Sequence, residues 1–297
     1  MVNELDKDEN GNLIDDIKNP AIWEKANPIA ASYAEGRDYL QKKLDEALEA
    51  PEKMRNFLTK HLDVWVNQKE NGYLSMEKWK KCGGKLPDLA GAECWIGLDL
   101  SSKLDLTSVG FEFKVGETFV VQSHSFVPAE KLEEKQKRDK VPFALWREQG
   151  WITATPGPVI DYKTVYNYIV DQVKDRGLVV REICLDPWGG LALANDLIAA
   201  GFVVVNIIQG IKTLSEPTKH FREMVYAGRV VHDENPVLSW AISNAIADEV
   251  DRNQNILLNK KKSRERIDPI AAIINAHVRA SIGSIVSTVK EPRVFFA

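Results

Sequence analysis

Three aspartates stand at element junctions, where a carboxylate needs a reason. Asp99 lies inside the apolar run Cys94-Trp95-Ile96-Gly97-Leu98-Asp99-Leu100. Asp186 closes a second run, Glu182-Ile183-Cys184-Leu185-Asp186, directly before Pro187. Asp268 opens the helical stretch Ile267-Asp268-Pro269-Ile270-Ala271-Ala272-Ile273-Ile274. Two strand carboxylates and one helix-start carboxylate, far apart in sequence, can converge on one spot. Hard divalent cations take oxygen ligands, and paired ions roughly 3.5–4 Å apart drive phosphodiester hydrolysis. The chemistry expected of such a site is metal-dependent cleavage of nucleic acid.

Each aspartate also has a plainer use. Asp99 would face solvent by simple alternation on an edge strand, although burial without a partner would cost several kcal/mol. Asp186 before a proline is an ordinary turn start. Asp268 before Pro269 is a standard N-cap arrangement, which leaves one carboxylate oxygen for a metal. Asp105, on the turn after the first run, reads as a turn residue.

Lys260, Lys261, Lys262, Arg264 and Arg266 form a basic cluster just ahead of Asp268. They would neutralise backbone phosphates in a salt-dependent way, or serve as a solvated charged loop. No base-reading module accompanies them, so weak sequence specificity is expected. His220, His232 and His277 lack metal-type spacing and read as structural. Trp146, Trp151, Trp188 and Trp240 read as core residues rather than base-stacking platforms.

The 297 residues are 44% hydrophobic, enough for one large core and a smaller appendage. Net charge is −4, so nucleic-acid binding would have to come from a local patch. Cys82, Cys94 and Cys184 contain no CxxC pair, which argues against a zinc site or a disulfide framework and for a reducing compartment. The acidic, polar N-terminus has no signal-peptide pattern, and no apolar stretch is long enough to span a bilayer. A soluble intracellular protein is expected.

Along the chain, residues 29–82 are expected to be helical. Ala30, Tyr33, Leu40, Leu44, Ala47, Phe57, Leu62 and Trp65 recur at helix-compatible spacings, and Pro51 opens a new helix. Asn10-Gly11-Asn12 marks a turn in a polar N-terminal stretch, and Gly83-Gly84-Lys85-Leu86-Pro87 reads as a linker. Residues 94–100, 107–114 and 118–127 read as an antiparallel meander. A charged stretch from Ala129 to Lys140 reads as a solvated helix, and Thr155-Pro156-Gly157-Pro158 as a break. Tyr162 to Arg176 is an amphipathic helix stopped by Gly177. Strand 179–185, helix 190–200 and strand 202–208 form a β-α-β unit. Helical segments near 215–227 and 236–246, a hairpin tip at 251–255 and a helix over 268–280 complete the chain.

Three meander strands, helix–strand alternation and a closing helix give the order of an RNase H-like α/β fold, with an inserted helical segment near 215–246. In that fold an acid on strand one, an acid after strand four and an acid on the last helix meet at one sheet edge. Several strings sharpen the match. Asp186-Pro187-Trp188-Gly189 follows a strand, and Gly201-Phe202-Val203-Val204-Val205 leads into Gln209-Gly210. His232 precedes Asn235-Pro236-Val237-Leu238-Ser239-Trp240, with Asn244 four residues on, and Lys260-Lys261-Lys262-Ser263-Arg264 precedes Arg266-Ile267-Asp268. Trp23, Ala26-Asn27-Pro28 and Trp79-Lys80-Lys81-Cys82 lie upstream. In this order, from about Pro20 to Ala280, the strings resemble the C-terminal part of the large terminase subunit of tailed phages.

The resemblance implies an RNase H-like nuclease that cuts concatemeric viral DNA during genome packaging, in the host cytoplasm. It implies two-metal hydrolysis with Mg²⁺ or Mn²⁺: Asp99 bridges both ions, and Asp186 and Asp268 each complete one shell. It implies double-stranded DNA, the procapsid portal and the small terminase subunit as partners. The family's ATPase motor needs a GxxxxGK[ST] loop, and none occurs here; Gly83-Gly84-Lys85-Leu86 is only a fragment of one. ATP hydrolysis is therefore not expected of this chain. Residues 1–84 are expected to be the trailing edge of the ATPase domain with a helical linker, and 85–297 the nuclease domain, monomeric by itself. Rival expectations are a Holliday-junction resolvase or transposase-type nuclease, an actin-like or sugar-kinase ATPase through Gly97-Leu98-Asp99-Leu100-Ser101-Ser102, and a non-catalytic DNA-docking module. The ATPase reading suffers because Ser101 stands where such phosphate loops usually need glycine.

Overall fold

The computed structural model describes residues 5–6, 14–49, 51–64, 72–100, 106–186, 189–249, 255–259 and 266–283. The chain divides into two compact units, residues 1–75 with 246–248, and residues 76–245 with 249–297. The first unit is helical: α1 (Trp23–Ala26), α2 (Pro28–Ala31), α3 (Ala34–Glu49) and α4 (Pro51–His61). Leu40, Leu44 and Ala47 recur at spacings of four and three, so they share one face of α3. They are buried with Leu5, Trp23, Phe57, Leu58 and Leu62. Tyr33, expected on that face, is exposed. Pro51 does open α4, where a missing N–H costs nothing. Trp65 lies outside the described residues, as does the Asn10-Gly11-Asn12 turn.

The second unit is built on a mixed sheet. It runs α5 (Met76–Lys81), β1 (Glu93–Asp99), β2 (Thr107–Val115), β3 (Thr118–Pro128), α6 (Leu132–Asp139), α7 (Phe143–Glu148), β4 (Ile152–Thr155), α8 (Tyr162–Arg176), β5 (Val179–Leu185), α9 (Leu191–Ala199), β6 (Val204–Asn206), α10 (Ile211–Tyr226), β7 (Val230–His232) and α11 (Pro236–Asn244). In chain order β8 (Ala247–Glu249), whose first two residues belong to the first unit, and β9 (Ile256–Leu258) come before the long closing helix α12 (Asp268–Gly283). The seven-stranded sheet has the order β4-β3-β2-β1-β5-β6, with β7 also paired to β3. β1, β2 and β3 form the expected antiparallel meander, while β5 runs parallel to β1 and β6 parallel to β5.

Four local expectations are revised. β4 and β7 are short strands that the sequence did not announce, so the second acid follows the fifth strand rather than the fourth. β6 keeps only three residues of the expected 202–208 run. α10 starts at Ile211, four residues before the expected 215, and carries Pro217 inside it. The glycines expected as a linker are pinned to β7: Gly84 N–H donates to the His232 carbonyl at 3.0 Å, and His232 N–H to the Cys82 carbonyl at 3.1 Å.

Strand alternation sorts the sheet into two faces. Cys94, Ile96 and Leu98 of β1 pack with Phe111, Phe113, Ile183 and Leu185 against α8 and α9 through Val165, Ile169, Leu193 and Leu197. Each such side chain contributes roughly 1.5–3 kcal/mol when fully buried. The opposite parity on β1 is Trp95, Gly97 and Asp99, and there α12 lies on the sheet. A Cβ on Gly97 would sit 1.9 Å from the Ala272 carbonyl oxygen, and one on Gly110 3.0 Å from the Ile273 nitrogen. Gly97 and Gly110 face each other across β1 and β2. This glycine pair is what lets the helix backbone rest on the strands.

Polar contacts fix how far α12 is slid along β1. Asn275 Nδ2 donates to the Leu98 carbonyl at 2.9 Å. His277 Nδ1 lies 2.6 Å from Glu112 Oε1, with both side chains fully buried. Arg279 makes two 2.7 Å bonds to the carboxylate of Glu182. Glu112 and Glu182 both sit beside Trp95, toward the start of β1. Going up the helix from 275 to 279 therefore goes down β1 from Leu98 to Trp95. α12 is antiparallel to β1, and its N-terminus lies over the strand's C-terminal end. Among the described residues no helix is long and apolar enough to cross a membrane.

Candidate functional site

Asp99 is the last residue of β1 and shares the α12 face with Gly97. Asp186 directly follows β5, whose Leu185 is paired with Leu98 of β1. The two aspartates thus occupy equivalent positions at the C-terminal ends of adjacent parallel strands, which run about 4.8 Å apart. Parity puts Asp186 on the same face as well, because Cys184 packs toward Val278 of α12 while Leu185 faces α8 and α9. Asp268 is the first residue of α12, over that same end of β1. All three expected acids are therefore carried to one end of one face.

Asp99 and Asp268 are buried, at 9% and 4% exposure, and Asp186 is half-buried. Buried carboxylates need charge or hydrogen-bond partners. Each of the three interacts with other groups of the protein. Among the described residues, no three His, Cys, Asp or Glu side chains stand together as a ready metal-ligand group. The backbone brings the acids to one end of the face. The donor chemistry fits a hard divalent cation: carboxylate oxygens on strand ends and a helix start, with no sulfur ligand among them.

One charged neighbour was not foreseen. The stretch Ala129–Lys140 was expected as a solvated helix, but the inward residues of α6 are Leu132, Lys135 and Asp139. That spacing of three and four is one helix face, and two of its three members are charged. Lys135 is 2% exposed. Burial pushes its ammonium down to about 8, Arg138 adds to this, and Asp139 and Asp268 oppose it. Asp139 is held by Arg138, at 2.6 Å from Nε and 3.2 Å from Nη2, and by Arg266 Nε at 3.6 Å. Burial likewise lowers Arg266, against the pull of Asp268. The only sequence signal for this cluster is the position of Lys135 in step with Leu132 and Asp139.

Asn275 was also missed. It is 3% exposed and ties α12 to the carbonyl beside Asp99, while its Oδ1 accepts from Gln209 Nε2 at 3.2 Å. Arg266, expected at DNA, faces Asp139. Lys260, Lys261, Lys262 and Arg264 lie outside the described residues, as do Asp105, Pro187 and Trp188. Among the histidines, His232 stacks on Trp79 at 3.8 Å, and His277 bridges Glu112 and His220. Trp146 and Trp240 pack together with Phe143.

A family model described as terminase large subunit, endonuclease domain, matches residues 4–284. The chain is 29% identical over 286 residues to Protein YmfN of Escherichia coli (strain K12), covering 90% of this chain and 61% of that protein. It is 27% identical over 261 residues to the terminase, large subunit, of Enterobacteria phage HK97, covering 87% of this chain and 51% of that one. The crystal structure of the HK97 bacteriophage large terminase matches with a TM-score of 0.64 at 25% identity, over 93% of this chain and 56% of that chain. The expected RNase H-like architecture is borne out by this likeness. The chain spans little more than half the length of these relatives.

Proposed function

Since the chain belongs to the terminase large-subunit endonuclease family, we propose that it is a metal-dependent DNA endonuclease that cuts concatemeric viral DNA during genome packaging. Support comes above all from the β1–β5 register, which sets Asp99 and Asp186 side by side under the N-terminus of α12. Asp99, Asp186 and Asp268 are the residues that would hold Mg²⁺ or Mn²⁺. Bound there, two such ions would supply an activated water and charge stabilisation for the leaving 3′ oxygen.

The chain's own part is positioning. Asn275 fixes the β1 end against α12 through the carbonyl of Leu98, the residue directly before Asp99. A carboxylate in the first turn of α12, where Asp268 stands, also suits the helix dipole. Lys260, Lys261, Lys262 and Arg264 would hold the DNA backbone beside the acids, with a steep salt dependence. Residues 1–84 would be the trailing part of the motor half with its linker, and 85–297 the nuclease. Double-stranded DNA, the procapsid portal and the small terminase subunit are the partners, and the isolated chain is monomeric. ATP hydrolysis is not assigned to it.

The carboxylates' engagement with protein groups favours one second reading, a DNA-docking module without catalysis. Nicking and linearisation of supercoiled plasmid decide between the two. Wild type should cut with Mn²⁺ or Mg²⁺ and not with EDTA, while folded Asp99→Asn and Asp186→Asn should not cut. Cutting that survives both substitutions would remove these residues from the site. DNA binding by a folded wild type that cuts in neither metal would leave the docking module.

A further inference from the structure

We propose that Gln209 is a positioning residue of the acid site: its amide closes a hydrogen-bonded link between the strand ends that carry Asp99 and Asp186, through the helix that carries Asp268, and so fixes α12 sideways for ion binding. This rests on the metal-dependent reading above, with those three aspartates as ligands.

The link can be followed atom by atom. The carbonyl of Leu185, directly before Asp186, accepts from Ile207 N–H at 2.8 Å. The Ile207 carbonyl accepts from Gln209 Nε2 at 3.2 Å. The same nitrogen donates to Asn275 Oδ1, also at 3.2 Å. Asn275 Nδ2 donates to the carbonyl of Leu98, directly before Asp99, at 2.9 Å. An amide nitrogen has two hydrogens, and Gln209 spends both here. Its orientation is forced, because a turned amide would set its oxygen against two acceptors.

Strand pairing alone leaves α12 free to shift sideways. The β1–β5 ladder ends at Leu98 and Leu185, one residue short of the acids, and it ties strand to strand. Asn275 holds α12 to β1, and Gln209 holds it toward the β5–β6 side. Arg279 also reaches β5, at Glu182, but one turn further from Asp268. Packing beside the amide pair is open. A cavity of about 40 Å³ lies between α10 and α12, lined by Leu214, Thr218, Ala271 and Ile274 together with the two amides. Apolar contact next to a void sets no distance, whereas a hydrogen bond does. Asn275 stands about two turns from Asp268, so a tilt of roughly 10° displaces Asp268 by nearly 2 Å over roughly 10 Å of helix. Mg²⁺ demands near-ideal octahedral geometry, so such a displacement weakens its binding.

Calorimetric titration with Mn²⁺ on the full chain tests this. Gln209 is exposed, so Gln209→Met keeps its length and removes both donors without touching the core. Groups that orient metal ligands typically change affinity tenfold or more, and Gln209 acts one step further out, so Kd should weaken about fivefold or more. For plasmid nicking, kcat should fall with KM for DNA within about twofold. Ile208→Ala, at a neighbouring side chain 70% exposed, should leave Kd unchanged. In an Asn275→Ala background Gln209→Met should add less than about twofold, because the two residues act as one link. A purely structural glutamine would lower stability and leave Kd unchanged. That result, or a full additional loss in the Asn275→Ala background, overturns the proposal while wild type still binds Mn²⁺. A wild type that binds no Mn²⁺ overturns the metal-dependent reading together with it.

Should Asn275→Ala fail to fold, hydrogen exchange of metal-free Gln209→Met replaces the cycle. The amides of residues 271–274 should exchange much faster than in wild type, and those of residues 277–280 should not. Equal rates at 271–274 overturn the proposal.

Discussion

Replacing Gly97 with alanine puts a methyl carbon 1.9 Å from the carbonyl oxygen of Ala272 and 2.6 Å from the amide nitrogen of Ala276. Both atoms belong to the backbone of α12, so no side chain can swing aside. Restoring contact at about 3.4 Å requires the helix to retreat by roughly 1.5 Å, and a gap of even 0.5–1 Å forfeits a quarter to a half of each contact along the seam. Ile270, Ile273 and Ala276, all fully buried, lie on that helix. Overpacking usually costs 1–3 kcal/mol, and a backbone-to-backbone clash belongs at the upper end, so we expect about 3 kcal/mol. Urea unfolding followed by near-UV circular dichroism should show a midpoint lower by about 1 M or more at unchanged slope. Gly84→Ala is the control, since a Cβ there meets nothing. It should change stability by less than about 0.5 kcal/mol. Because α12 carries Asp268, Gly97→Ala should also weaken metal binding under conditions where it remains folded. A Gly97→Ala midpoint equal to that of Gly84→Ala would refute the close approach of helix to strand.

Asn275→Ala removes the bond to the Leu98 carbonyl and strands that buried acceptor, so a loss of about 1–3 kcal/mol is expected by chemical denaturation. It should also lower cleavage more than a surface substitution of equal stability effect. His124 is buried, stacked on Tyr168 at 4.3 Å, with Nε2 2.8 Å from Thr153 Oγ1, and burial pushes its imidazole down to about 4. The unfolded imidazole takes up its proton near 6.5 and the folded one only near 4, so the unfolded state binds more protons in between. Stability from this group is complete above pH 6.5 and erodes as pH falls toward 4, by on the order of 3 kcal/mol. His124→Gln should flatten the pH dependence of unfolding in that window, and an unchanged slope would count against the assignment.

The strand frame of the site was legible because it rests on local rules. β1, β2 and β3 match their alternating runs to within a residue at each end, and Gly116 and Gly177 mark stops where the backbone needs positive φ. Asp99 and Asp186 could be found because a carboxylate ending an apolar run breaks its own pattern. β4 and β7 could not, since strands of four and three residues exist only through pairing with distant parts of β3. Lys135 was hidden for a related reason. The sequence of α6 reads as charged all round, and only the tertiary fold decides that its Leu132–Lys135–Asp139 face turns inward. Asn275 looks like an ordinary polar residue on an apolar helix, and its value lies in a carbonyl 177 positions away. The antiparallel lie of α12 on β1 follows from Gly97, Gly110 and the three polar contacts together, none of which is meaningful alone.

The most direct test of the site is anomalous diffraction from crystals of the chain soaked in Mn²⁺. The account predicts a peak about 2.0–2.2 Å from carboxylate oxygens of both Asp99 and Asp186, with any second peak at Asp268. Ordered crystals that bind Mn²⁺ elsewhere, or show no peak at these strand ends at millimolar metal, would contradict it.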